Sequence, residues 1–296
     1  MKIFYGALET KLDVTSICYN KLMINNNIII PEGDCNRANL FSDPIQGILK
    51  TILITMDDGY TQEYDYTLTI HIDTTTNIIN AFNVDTKLTN MWNNLRINHG
   101  DFYGEIPEQK MTVRYLTGNE KVLEIGSNIG RNSLIISDIL EKKSNYNFVT
   151  LETDTDIANQ LCENKKLNNK FFHIENSALS KNKLIQIGWD TIESDILYDG
   201  YKSVNTITWD DLNSKYNIQF DTLILDCEGA FYNILRDMPE ILLNIKLIIM
   251  ENDYHDITKK NYVDDILQKN NFKIDYSEAG GWGPCFNNFF EVWKKI

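Results

Sequence analysis

The residues best suited to chemistry are acids and glycines placed where short apolar runs end. In Val122-Leu-Glu-Ile-Gly-Ser-Asn-Ile-Gly130 an apolar run carrying Glu124 meets two glycines four residues apart, and a helical pattern follows. Glycines at Gly126 and Gly130 let a backbone come close to a ligand where a Cβ would collide. About twenty residues further on, the next apolar run closes on Glu152, where a carboxylate can accept hydrogen bonds from both hydroxyls of a ribose. The turn is neither GxGxxG nor a GK[ST] loop. That disfavours pyrophosphate and triphosphate against an adenosine-type ligand without phosphate. A second group of acids follows two later runs: Asp226 and Glu228 after Thr222–Leu225, and Glu251, Asn252 and Asp253, with His255, after Leu247–Met250. Such oxygen donors suit Mg²⁺ or Ca²⁺ better than Zn²⁺. The plainer reading is that they bind water and substrate hydroxyls, and no metal ligand is assigned.

These residues need elements to hold them, and the chain changes texture to supply them. From Lys2 to Thr76, β-formers cluster between turn signals, with strands expected at 3–5, 22–30, 48–56 and 63–72 and no helix before about residue 80. Residues 1–80 are therefore expected to form a small β-rich domain, and 81–110 a helical connector. From 111 to 296, short apolar strands alternate with helical stretches: strands at 121–125, 148–151, 171–174, 222–225 and 247–250, helices at 131–141, 155–167 and 262–269, and a closing hairpin from 272–277 and 288–293. That alternation predicts an α/β fold with a parallel sheet and right-handed crossovers.

Several ordered motifs resemble one family. Glu124-Ile-Gly-Ser-Asn-Ile-Gly130 is similar to the first motif of class I S-adenosylmethionine-dependent methyltransferases. Phe220-Asp-Thr-Leu-Ile-Leu-Asp-Cys-Glu-Gly-Ala-Phe231 resembles the fourth-strand signature of FkbM-type O-methyltransferases, with Phe231 where that family often carries a further acid. Asn176-Ser-Ala-Leu179, Thr206-Ile-Thr-Trp-Asp-Asp-Leu212 and Asn287-Asn-Phe-Phe-Glu-Val-Trp293 are similar to segments around it. The resemblance spans about residues 110–296 and implies a Rossmann-like seven-stranded methyltransferase sheet. It also implies S-adenosylmethionine as cofactor and methyl transfer to a hydroxyl, commonly on a sugar or glycan.

The residue chemistry takes on roles within that frame. Glu124 with Gly126, Ser127, Asn128 and Gly130 would hold the amino-acid end of the cofactor, Glu152 the ribose, and Ser177 and Ala178 would lie by the adenine. A sugar hydroxyl is a poor nucleophile, so a base must take its proton. Asp226 is the first candidate, with Glu251 and His255 next; Asp226 could equally order the loop. Glu228 and Trp282, the latter in the flexible Gly280-Gly-Trp-Gly-Pro284, would meet the acceptor, since indoles stack on sugar faces. Trp189 and Trp209 also follow strand ends.

Composition narrows the partners. Lys plus Arg number 28 against 42 Asp plus Glu, a formal charge of -14. Such a chain repels nucleic acid and anionic lipid, so neither is an expected partner and RNA methylation is disfavoured. The most apolar stretch, 242–250, is broken by Asn244 and Lys246, and the first ten residues lack a signal-peptide core. Five cysteines without a CxxC pair read as free thiols in a reducing, cytoplasmic setting. The N-terminal strands would serve acceptor positioning or self-association into a homodimer through an open edge. Two rival functions are a nicotinamide-dependent oxidoreductase and a non-catalytic glycan-binding or assembly protein on a methyltransferase fold.

Overall fold

The computed structural model describes all 296 residues, Met1–Ile296, as two compact units, one of 1–90 with 113–117 and one of 91–112 with 118–296. The first unit holds two four-stranded antiparallel sheets. One orders Thr10–Asp13, Lys2–Ala7, Thr51–Thr55 and Thr61–Tyr64; the other orders Met23–Ile24, Asn27–Ile30, Thr69–Asp73 and Ile78–Phe82. Alternate residues Ile3, Tyr5, Ile28, Ile30, Ile52, Ile54, Ile70 and Ile72 point into one core, the period of two that strands require.

Three expectations for this unit need correction. Two short helices, Thr15–Lys21 and Asp34–Phe41, precede residue 80. The second escapes an apolar-periodicity reading because one of its two buried anchors is Arg37, whose guanidinium donates to the carbonyls of Pro31, Asp65 and Leu68. The expected strand 63–72 is two strands in different sheets. The break falls where the Asp65 carboxylate accepts from the Thr67 backbone N–H, a local turn that competes with the ladder. The expected strand 22–30 is a hairpin, turned by Asn25 and Asn26 at φ 46° and 64°.

The second unit carries a seven-stranded sheet. Its strands are β1 (Val122–Ile125), β2 (Phe148–Leu151), β3 (His173–Glu175), β4 (Thr222–Leu225), β5 (Leu247–Glu251), β6 (Phe272–Glu278) and β7 (Phe290–Lys295). The order is β3-β2-β1-β4-β5-β7-β6, with β7 antiparallel to its neighbours and the other contacts from β3 to β5 parallel. This is the Rossmann-like α/β architecture with a closing hairpin that the sequence predicts. β1, β2 and β4 are buried at every position, as strands covered on both faces must be. The order reverses direction between β1 and β4, which opens a crevice at their carboxyl ends. A small three-stranded sheet, Leu184–Ile187, Asp190–Glu193 and Lys202–Val204, is inserted between β3 and β4. No helix is long and apolar enough to cross a membrane, and all five cysteines are unpaired.

Candidate active site

The carboxyl ends of β1, β2, β4 and β5 open into a cavity of about 700 Å³. The turn after β1 forms one wall. Gly126 and Gly130 both adopt left-handed φ, 86° and 93°, a region costly for side chains bearing a Cβ. A Cβ on Gly126 would collide with the backbone of Asp226, and one on Gly130 with Leu161. The turn is closed by Gly130 N–H donating to the Ser127 carbonyl and anchored to β2 through Ser127, whose N–H and hydroxyl both reach the Leu151 carbonyl. The helix Arg131–Glu141 starts from this turn.

Glu152 ends β2 at the cavity wall. Its two oxygens accept from the N–H groups of Asn128 and Asp154, each at 2.9 Å. Oε1 also accepts from the Thr153 hydroxyl at 3.5 Å, and Oε2 keeps a second lone pair for a ligand. Burial pushes its carboxyl above the ordinary range, against the pull of those N–H donors. Ser177 and Ala178, after β3, line the cavity beside it.

The floor is acidic. Ten carboxylate side chains line the cavity and no lysine, arginine or histidine does, so a phosphate-bearing ligand would meet only repulsion from its side-chain charges. Asp226, Glu251 and Glu108 offer oxygens that all lie within 4.8 Å of one another. Burial raises the Asp226 carboxyl well above its usual range, and the carboxylates of Glu105, Glu108 and Asp253 push the same way. Glu251 is raised by burial and by its hydrogen bond to Glu108. Three acids this close cannot all ionise without a compensating charge. Glu228 is the most open of the strand-end acids, sits at left-handed φ 50°, and hydrogen-bonds Asp253. Non-glycine residues at such φ are strained and concentrate at functional sites.

The cavity gathers most of the residues singled out from the sequence: Gly126, Asn128, Glu152, Ser177, Ala178, Asp226, Glu228, Glu251 and Trp282 all line it. Ser127 and Gly130 shape the turn from behind. Glu124 points elsewhere. Its carboxyl is buried under the turn, accepting from the hydroxyls of Ser133 and Thr150, and it does not line the main cavity. Burial raises it to about 8. His255 also lies off the cavity, exposed and tilted at 45° against Trp282, with 4.3 Å between ring centroids. Of the other tryptophans, Trp209 is core, tilted against Phe220, whereas Trp189 from the inserted sheet lines the cavity.

Two acids of the cavity lining were not legible in the sequence. Glu108 enters from the first turn of the helix Ile106–Tyr115, and Glu105 from the short 3-10 helix Tyr103–Glu105 just before it. Acids in a first helical turn ordinarily read as partners of the helix dipole, and that reading hides them. Glu105 is paired with Arg131 at 2.7 Å.

No protein-family profile matches the sequence, and neither does any curated protein. The FkbM-type resemblance therefore rests on the sequence motifs. Among solved structures, the chain is similar to an O-methyltransferase from Bacillus cereus in complex with SAH, with 14% identity and a TM-score of 0.39, covering 72% of this chain and 89% of that one. It is also similar to a ribosomal protein L11 methylase from Lactobacillus delbrueckii subsp. bulgaricus, with 11% identity and a TM-score of 0.40, covering 64% and 78%. The fold assignment stands on the strand order of the sheet itself, not on these likenesses.

Proposed function

We propose that the chain is an S-adenosylmethionine-dependent O-methyltransferase acting on a hydroxyl of a sugar or glycan. The observation that carries this reading is Glu152 at the end of β2, facing a cavity formed by a glycine turn in a sheet ordered β3-β2-β1-β4-β5-β7-β6. The cofactor fits the donor set: a cavity of about 700 Å³, a carboxylate for the ribose, and no cationic residue that a phosphate would call for. Glu152 would accept from the ribose hydroxyls, Gly126 and Asn128 would flank the amino-acid end, and Ser177 and Ala178 the adenine. When bound, S-adenosylmethionine supplies an electrophilic methyl group: the acceptor oxygen gains the O–CH₃ bond as the C–S electron pair returns to sulfur. Glu228, open to the cavity beside Asp253, is assigned the released proton. Trp189 and Trp282, both half-exposed at the cavity, would stack on a sugar ring.

The absence of a phosphate-binding turn or any basic lining residue speaks against the nicotinamide reading. The first unit is assigned acceptor positioning or self-association. The test is incubation of the full chain with methyl-labelled S-adenosylmethionine and a panel of neutral sugars, read by mass. Gain of one methyl on a sugar oxygen supports the reading. Label on no hydroxyl acceptor, with cofactor bound, would favour the non-catalytic binding alternative.

A further inference from the structure

We propose that Glu108, Asp226 and Glu251 hold one hard divalent cation at the floor of the cavity. The three arrive on separate elements: Glu108 from the helix Ile106–Tyr115, Asp226 from the turn after β4, and Glu251 from the end of β5. Their offered oxygens lie within 4.8 Å of one another, and no basic side chain shares the cavity lining to balance them.

A second observation points to the same place. Two of the three, Glu108 and Asp226, also line a second cavity of about 10 Å³, which Asn132 joins from the first turn of the helix Arg131–Glu141. The Asn132 side chain is 6% exposed and its Oδ1 has no hydrogen-bond partner; the second carboxylate oxygen of Glu108, on a residue 7% exposed, has none either. Buried polar atoms are nearly always partnered, so two orphan acceptors on residues that line one small cavity require an explanation. A cation carrying a water supplies it, because a space of this size holds about one water molecule, which can donate to both oxygens. Every donor in the set is oxygen. That selects Mg²⁺, Ca²⁺ or Mn²⁺ over Zn²⁺. Such an ion would also polarise an acceptor oxygen entering the cavity from above.

The site does not depend on the cofactor, so its test omits S-adenosylmethionine. Full-length protein stripped with a chelator is titrated calorimetrically with MgCl₂, CaCl₂ and MnCl₂ in turn. One cation per chain is expected, and Glu108→Gln and Asp226→Asn should each weaken it by at least about tenfold, because the amide keeps an oxygen in place but removes the negative charge that holds a hard cation. Glu278→Gln, which changes another acid of the same cavity, should stay within about twofold of the parent. Thermal melting of each variant without cation establishes that it is folded, and Glu108→Gln should melt no lower than the parent because a crowded charge is gone. Saturable binding by none of the three cations would overturn the proposal. So would binding that both variants leave unchanged, which would put the ion elsewhere. Either failure leaves the methyl-transfer reading to its own test.

Discussion

A Cβ added to Gly126 would lie 1.6 Å from the carbonyl oxygen of Asp226. The first glycine of the turn is therefore demanded by the close approach of β1 and β4, whatever binds in the cavity. Gly126→Ala must both strain a backbone at φ 86° and part the ends of the two central strands. The expected loss is on the order of 3 kcal/mol or more, seen as a lower urea midpoint. A midpoint equal to the parent's would show that the two strands separate without cost.

Glu228→Gln preserves size and can still hydrogen-bond Asp253, but it cannot take a proton. Turnover should fall by about 10² or more, while S-adenosylmethionine affinity stays near the parent value. If turnover is kept, the proton passes to another carboxylate of the floor, and Asp253 is then the nearest partner to change.

Glu124 makes stability fall as pH rises. Its folded carboxyl is raised from 4.5 to about 8 by burial, with Glu105 and Glu152 adding to the rise and the hydroxyls of Ser133 and Thr150 opposing it. The unfolded chain ionises near 4.5 while the folded chain still holds the proton. Its contribution is complete below 4.5 and is lost as pH rises through 8, and every tenfold difference in proton affinity between the two states corresponds to about 1.4 kcal/mol. Glu124→Gln removes the titration and keeps an acceptor for both hydroxyls. Melting temperatures measured across this window should fall less steeply in the variant. An identical slope in the two proteins would assign the pH dependence to other acids.

The second unit was readable because its local signals agree with its burial. β4 is an unbroken apolar run ending in an acid, and it lies where that run predicts. The helix Thr155–Leu167 carries its own start signal, Asp154, whose side chain caps the N–H groups of Asp156 and Ile157. The first unit was less readable because polar groups do structural work there. Arg37 anchors a helix from inside, and a turn at Asp65 divides what reads as one strand. The site was half legible. Glu152, Asp226 and Glu251 stand at strand ends where an open sheet puts its ligands. Glu108 is brought to Asp226 and Glu251 from more than about a hundred residues earlier in the chain by packing alone, a juxtaposition that spacing does not encode. Glu124 shows the converse: an acid inside a glycine motif that the fold turns inward.

The central claim is that Glu152 receives the ribose of S-adenosylmethionine, and calorimetric titration of the cofactor into the full chain tests it most directly. The parent should bind one molecule per chain. Glu152→Ala should weaken binding by roughly 1.5–3 kcal/mol, the worth of hydrogen bonds to a charged acceptor, with the variant still folded by circular dichroism. Absence of binding by the parent, or equal affinity in the variant, would contradict the account.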